Sequence, residues 1–173
     1  MAKRIILLSG PVSSGKTTLG DTLVERYRFV RLKTRDLIRR RLGTDIERGA
    51  LQAAGESLDK KTEGRWVAEE LVRVSLELAD DAVILVDAVR IAPQIDAIRN
   101  AFGARVTHIH LTAPDEELAR RYGQRQGEVR ELATYDEVRG NPTEKRVGKL
   151  QGIADVVVDN RDFARPRVLT PDE

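Results

Sequence analysis

Residues Gly10 to Thr17 read GPVSSGKT, the G-x-x-x-x-G-K-[ST] spacing of a phosphate-binding loop. The apolar run Arg4-Ile-Ile-Leu-Leu-Ser9 precedes it, and behind it Leu19, Leu23 and Tyr27 recur at helical spacing. The loop therefore predicts a strand, a glycine-rich turn and a helix in immediate succession, and that succession commits the chain to an α/β architecture with parallel strands. A turn of this composition lets consecutive backbone N–H groups converge on one point at the positive end of a helix. Gly10, Val12, Ser13, Ser14, Gly15, Lys16, Thr17 and Thr18 are the expected phosphate contacts. Lys16 adds a mobile cation for the β and γ phosphates, and the Thr17 hydroxyl suits a bridging Mg²⁺. The competing reading is a glycine-rich turn that binds nothing.

The rest of the chain repeats the alternation. Phe29 to Leu32 predicts a second strand, with Thr34 capping a helix from Arg35 to Leu42 that Gly43 stops. Helices follow over 47–58 and 65–78, the second with an apolar face that includes Trp66, expected in the core. Asp81-Ala-Val-Ile-Leu-Val-Asp87 is a continuous apolar run ending in an acid, the pattern of a strand buried on both faces. Further helices are expected over 92–102, behind Pro114, and from Pro142 to about Gly152; further strands over 105–112 and 153–159. The expected fold is a three-layer αβα sandwich around a five-stranded parallel sheet, with ligands beyond the carboxyl ends of the strands. One domain over 1–160 is expected, with a helical acceptor region at about 35–80, a lid at about 114–140 and a loose tail at 161–173.

Composition narrows the chemistry. The 173 residues contain no cysteine, which removes disulfides, thiolate catalysis and cysteine-bound zinc. No apolar run approaches bilayer length and no leader pattern precedes the loop, so a cytoplasmic location without membrane contact is expected. A net charge of +2 is too small to argue for nucleic acid by itself. Arginine outnumbers lysine, however, and Arg35, Arg39, Arg40 and Arg41 crowd one segment. Phosphate recognition and a solvated surface both account for such a cluster.

Several acids and arginines fall on the expected rim. Asp87 ends the third strand, where a carboxylate can share the Mg²⁺ with Thr17; it is followed by Ala88 rather than by the second acid of many ATP-hydrolysing machines. Asp36 lies just past the second strand and can hold or deprotonate an acceptor, or else simply stabilise a helix dipole. Arg121 and Arg125 are spaced to share a helix face in the expected lid, where guanidinium groups can stabilise a migrating phosphoryl group; a plain surface helix is the alternative. Arg90 and Gln94, with Arg39, Arg48 and Gln52, are expected to face the acceptor. His108 and His110 alternate on one strand face, where sheet packing competes with a metal site that lacks an evident third ligand.

These motifs resemble the P-loop nucleoside and nucleotide kinases, including dephospho-coenzyme A kinases and phage or bacterial deoxynucleotide kinases. GPVSSGKTT, the Asp36 segment, VDAVR, the arginine-rich lid and ADVVVDN carry the resemblance, over about residues 4–160. It implies ATP as donor with Mg²⁺, Arg121 on the nucleotide, and Asn160 against the adenine. RLKTRDLIRR, VDAVRIAPQIDAIR and YDEVRGNPTEK are also similar to a kinase-like module that precedes adenylosuccinate synthetase in some bacterial proteins. The expected activity is transfer of the γ phosphate to a small nucleotide-like acceptor. A non-catalytic nucleotide sensor and a polynucleotide kinase are the other readings. N/T-K-x-D and D-x-x-G strings, which a signalling GTPase needs, do not occur.

Overall fold

The computed structural model describes residues 3–43, 46–125 and 134–170. In chain order the elements are β1 (Arg4–Ser9), α1 (Lys16–Tyr27), β2 (Val30–Lys33), α2 (Thr34–Leu42), α3 (Arg48–Thr62), α4 (Arg65–Leu76), β3 (Val83–Asp87) and α5 (Ala92–Phe102). They continue with β4 (Val106–Thr112), α6 (Asp115–Gln124), α7 (Tyr135–Gly140), α8 (Pro142–Lys149), β5 (Val156–Asp159) and β6 (Arg167–Val168). The strand order is β2-β3-β1-β4-β5-β6. All neighbouring pairs are parallel except β5 and β6.

Alternation along the central strand produces the layers. On β1, Ile5 and Leu7 join a core with Leu37, Trp66, Leu71, Ile84, Ile95 and Ile98, contributed by β3 and by α2, α4 and α5. Ile6 and Leu8 face the opposite way, toward Leu85, Leu111, Leu19 and Leu23 beneath α1. Ile5, Leu7 and Leu8 are fully buried, as a strand with neighbours on both edges and helices on both faces requires, and Trp66 of α4 is fully buried in the core that Ile5 and Leu7 join.

Register then fixes the rim. Leu8 and Lys33 both pair with Asp87, and Ser9 pairs with His110, so the loop after β1 emerges beside the carboxyl ends of β2, β3 and β4.

Three details depart from the sequence reading. The sheet has six strands, because the tail is not loose: β6 pairs antiparallel with β5, and the Leu169 N–H donates to Val157 O at 2.9 Å. Thr34 does not cap α2; it is the first helical residue, and its hydroxyl donates to Ala88 O at 2.7 Å, tying β2 to the end of β3. A short helix, α7, stands where none was expected, opened by a reciprocal capping box between Thr134 and Glu137.

Candidate active site

The loop between β1 and α1 has the backbone its sequence demands. Gly10 has φ 146° and Gly15 has φ 98°. A Cβ on Gly10 would stand 2.5 Å from Leu111 O, and one on Gly15 would collide with the Asn160 amide and the Phe163 ring. Glycine is needed here for its conformation and for the close approach of neighbours. Lys16 opens α1, and its ammonium turns back over the loop, donating to Gly10 O at 2.6 Å and Pro11 O at 2.8 Å. Thr17 and Thr18 are exposed on the first turn.

Lys16 is the electrostatic centre of the site. Burial lowers its pKa to about 8, against the pull of Glu144 and Asp87, which raise it, and with the help of Arg90 and Arg125, which lower it. The fold thus gathers charged groups from β3, its following loop, the end of α6 and α8 around one ammonium. Ser13 Oγ is buried and has no hydrogen-bond partner among the described residues. An orphaned hydroxyl in a cradle that a Cβ would fill suits an oxyanion ligand, and the loop fits the polyphosphate the sequence implied.

Asp87 does not project freely. Its Oδ2 accepts from Arg31 Nε at 3.0 Å and Nη2 at 2.6 Å, and Arg31 also bridges to Asp21. This pairing, absent from the sequence reading, orients the carboxylate at the end of β3. His108 and His110 are both buried, and Ser9 Oγ stands 2.7 Å from a ring nitrogen of each. Burial, then the His108 and Lys16 charges, hold the His110 pKa near 4, so its ring is neutral at physiological pH.

A cavity of about 190 Å³ opens beside Arg90. Thr34, Arg35 and Ile38 of α2, Gln52 and Asp59 of α3, Trp66 of α4, Gln94 of α5 and Arg146 of α8 line it with Arg90. Asp59 is the most constrained of its acids: Oδ1 accepts from Trp66 Nε1 at 2.7 Å and from Gln94 Nε2 at 2.9 Å. Gln94 Oε1 in turn accepts the Arg90 N–H at 3.0 Å. Arg90, Gln94 and Gln52 are therefore brought together around one cavity. Asp59 and Arg146 were not foreseen.

Other residues singled out from the sequence stand elsewhere. Asp36 and Arg39 are not among the residues that line this cavity; Asp36 pairs with Arg39 at 3.3 Å and lies 4.0 Å from Arg35, which does line it. Helical phase sets them apart, since Leu37 and Ile38 are the buried positions of α2 and Asp36 stays exposed. The Arg48 side chain lies outside the described residues. Arg40 pairs with Glu77 and Arg41 with Glu69 and Glu70, so part of the arginine cluster is neutralised within the fold.

Arg121 and Arg125 do not form one helical face. The helix ends at Gln124, leaving Arg125 extended and exposed. Arg121 is only 8% exposed, and its Nη2 donates to Asn160 O at 2.7 Å and Arg161 O at 3.0 Å while its Nε pairs with Glu117. Its guanidinium also stacks 3.9 Å from the centre of the Phe163 ring. These partners tie α6 to the end of β5, and Nη1 reaches Ser13 O of the phosphate loop at 3.5 Å, so the guanidinium stands between the loop and the strand end. Asn160 is likewise buried, its side-chain amide donating to Ser14 O at 2.9 Å. It braces the loop from behind.

A family model described as an AAA domain matches residues 5–140. Among solved structures, shikimate kinase from Bacteroides thetaiotaomicron is similar at 15% identity with a TM-score of 0.62, over 94% of this chain and 89% of that one. Shikimate kinase from Aquifex aeolicus matches at 20% identity and TM-score 0.54, over 90% and 85%. A gluconokinase from Sinorhizobium meliloti matches at 16% and 0.52, over 91% and 82%. At these identities the likeness is one of fold.

Proposed function

The chain belongs to the AAA domain family, and from that premise we propose that it is an ATP- and Mg²⁺-dependent kinase that phosphorylates a small anionic acceptor. The observation that carries this reading is Arg90, which lines the 190 Å³ cavity and lies close enough to Lys16 for its charge to act on the ammonium. It makes the phosphate loop and the cavity adjoining halves of one site, as phosphoryl transfer between two bound partners demands. The likeness in fold to shikimate kinases and a gluconokinase supports the same reaction class.

The loop amides and Lys16 hold the phosphates of the donor. Thr17 and Asp87 are the residues to hold Mg²⁺, which when bound neutralises charge between the β and γ phosphates. Arg125, exposed and within electrostatic reach of Lys16, is the guanidinium to balance charge on the transferring group. On the acceptor side, Arg35, Arg90 and Arg146 supply guanidinium groups from separate elements, a donor set suited to a carboxylate or phosphate. Asp59, pinned by Trp66 and Gln94, is the carboxylate to orient an accepting hydroxyl. The acceptor oxygen bonds to the γ phosphorus as the bond from the β–γ bridging oxygen breaks, and the hydroxyl proton leaves through that carboxylate. A nucleotide-like acceptor belongs to this class, with part of it outside so small a cavity.

An acceptor screen tests the proposal. ATP consumption is followed with nucleosides, nucleoside monophosphates, dephospho-coenzyme A, small hydroxy acids and oligonucleotides, alongside Lys16→Ala. At least one anionic small molecule is expected to raise turnover in the native chain and not in the variant. Turnover equal in both proteins for every acceptor would refute the kinase reading, and stimulation by oligonucleotides alone would move it to a polynucleotide substrate.

A further inference from the structure

Glu144 has no part in the machinery assigned above, yet its carboxylate is bonded to the phosphate loop. Its Oε2 accepts the Val12 N–H at 3.0 Å. Of the charges acting on Lys16, that of Glu144 weighs most. An acidic side chain thus stands among the same donors that a polyphosphate uses.

Local structure holds it there. Asn141 caps α8 by accepting the Thr143 N–H at 2.9 Å, and Pro142 occupies the first turn, so Glu144 projects from a fixed helical start. Glu144 also borders a cavity of about 550 Å³, which Pro11 and Val12 of the loop share with residues of α6, α7 and α8. The carboxylate therefore has space into which it can withdraw.

We propose that the Glu144 carboxylate fills an anion position of the phosphate loop and must be displaced when a polyphosphate enters, making it the residue that sets the loop's affinity for its donor. The inference rests on reading the loop as a triphosphate site. A carboxylate and a triphosphate cannot share one amide, and at this separation their like charges repel strongly in a partly buried site. Glu144 neutralises the ligand-free loop, and a ligand must make several contacts at once to expel it. It acts through the loop and takes no part in the bond exchange.

The test is calorimetric titration of the full chain, native and Glu144→Gln, with Mg²⁺-ATP and separately with inorganic tripolyphosphate. Glutamine keeps the shape and removes the charge. Glu116→Gln, on the exposed side of α6, makes the same change in net charge away from the loop. Glu144→Gln is expected to bind both ligands about tenfold more tightly than the native chain, with a smaller gain at high salt, while Glu116→Gln stays within about twofold. A gain is informative because structural damage would weaken binding. A change of less than about threefold for Glu144→Gln, or any loss, overturns the proposal while leaving the triphosphate site intact. If neither the native chain nor the variant binds either ligand, the triphosphate reading itself fails and takes this one with it.

Discussion

Lys16 combines two opposing demands in one side chain. It must be charged to meet phosphates, yet burial lowers its pKa from the ordinary 10.5 to about 8. Between these values the unfolded chain holds a proton that the folded chain has released, so the folded state gains stability from this group as pH rises from about 8 toward 10.5. A bound polyphosphate works in the other direction, since its negative charge restores the ammonium. Nucleotide binding is therefore expected to take up a proton above about pH 8 and almost none near pH 6.5, with affinity falling as pH climbs through this window. Calorimetry in buffers of different ionisation enthalpy measures the uptake directly. Binding without proton uptake at any pH between about 7 and 9.5 would show that Lys16 is not the group that meets the phosphates.

The helix α6 and its continuation separate two arginines that the sequence put together. Arg121 is buried and spends its donors on carbonyls at the end of β5, whereas Arg125 lies beyond the last turn and is exposed. Arg121→Ala is expected to cost about 1.5–3 kcal/mol of stability, because it leaves buried carbonyls without a charged donor. Arg125→Ala is expected to leave stability within about 0.5 kcal/mol and to lower the phosphoryl-transfer rate by roughly 100-fold. Chemical denaturation and initial rates distinguish them; equal losses of stability for both variants would contradict the division. The example shows where sequence reading stops. The loop, the order of strands and helices, and the end of β3 were legible because glycine spacing and apolar runs are local signals. Helical phase was harder: Asp36 and Arg35 are adjacent in sequence and both exposed, and only the packing of α2 against α3 sets which of them borders the cavity. Thr134-Tyr-Asp-Glu137 carried a readable capping box that went unread, and Phe163 gave no sign of returning to cover Gly15. Asp59 could have been anticipated from Trp66, since a buried indole N–H needs an acceptor.

Across the molecule, the parallel sheet brings both halves of the site to one rim while the two cores hold the helices apart on opposite faces. Lys16 begins the helix on one face, and the cavity under Arg90 is built largely by helices on the other, so a bound nucleotide would bridge the two layers at the rim of the sheet. Ligand binding to the folded state alone must then raise its stability. At a free concentration about 100 times Kd the gain is about 2.7 kcal/mol, which for a chain of this size raises Tm by roughly 5–10 °C. Lys16→Ala is the informative variant, because among the described residues its ammonium bonds to loop oxygens alone and belongs to neither core. Asp87→Asn is less clean, since it also disturbs the Arg31 pair that braces β2, β3 and α1. Thermal unfolding with and without Mg²⁺-ATP should show the shift in the native chain and little of it in Lys16→Ala, from a similar ligand-free Tm. A full shift in the variant would mean that the nucleotide stabilises the fold from somewhere other than this loop, and the assignment of the rim as the donor site would have to be abandoned.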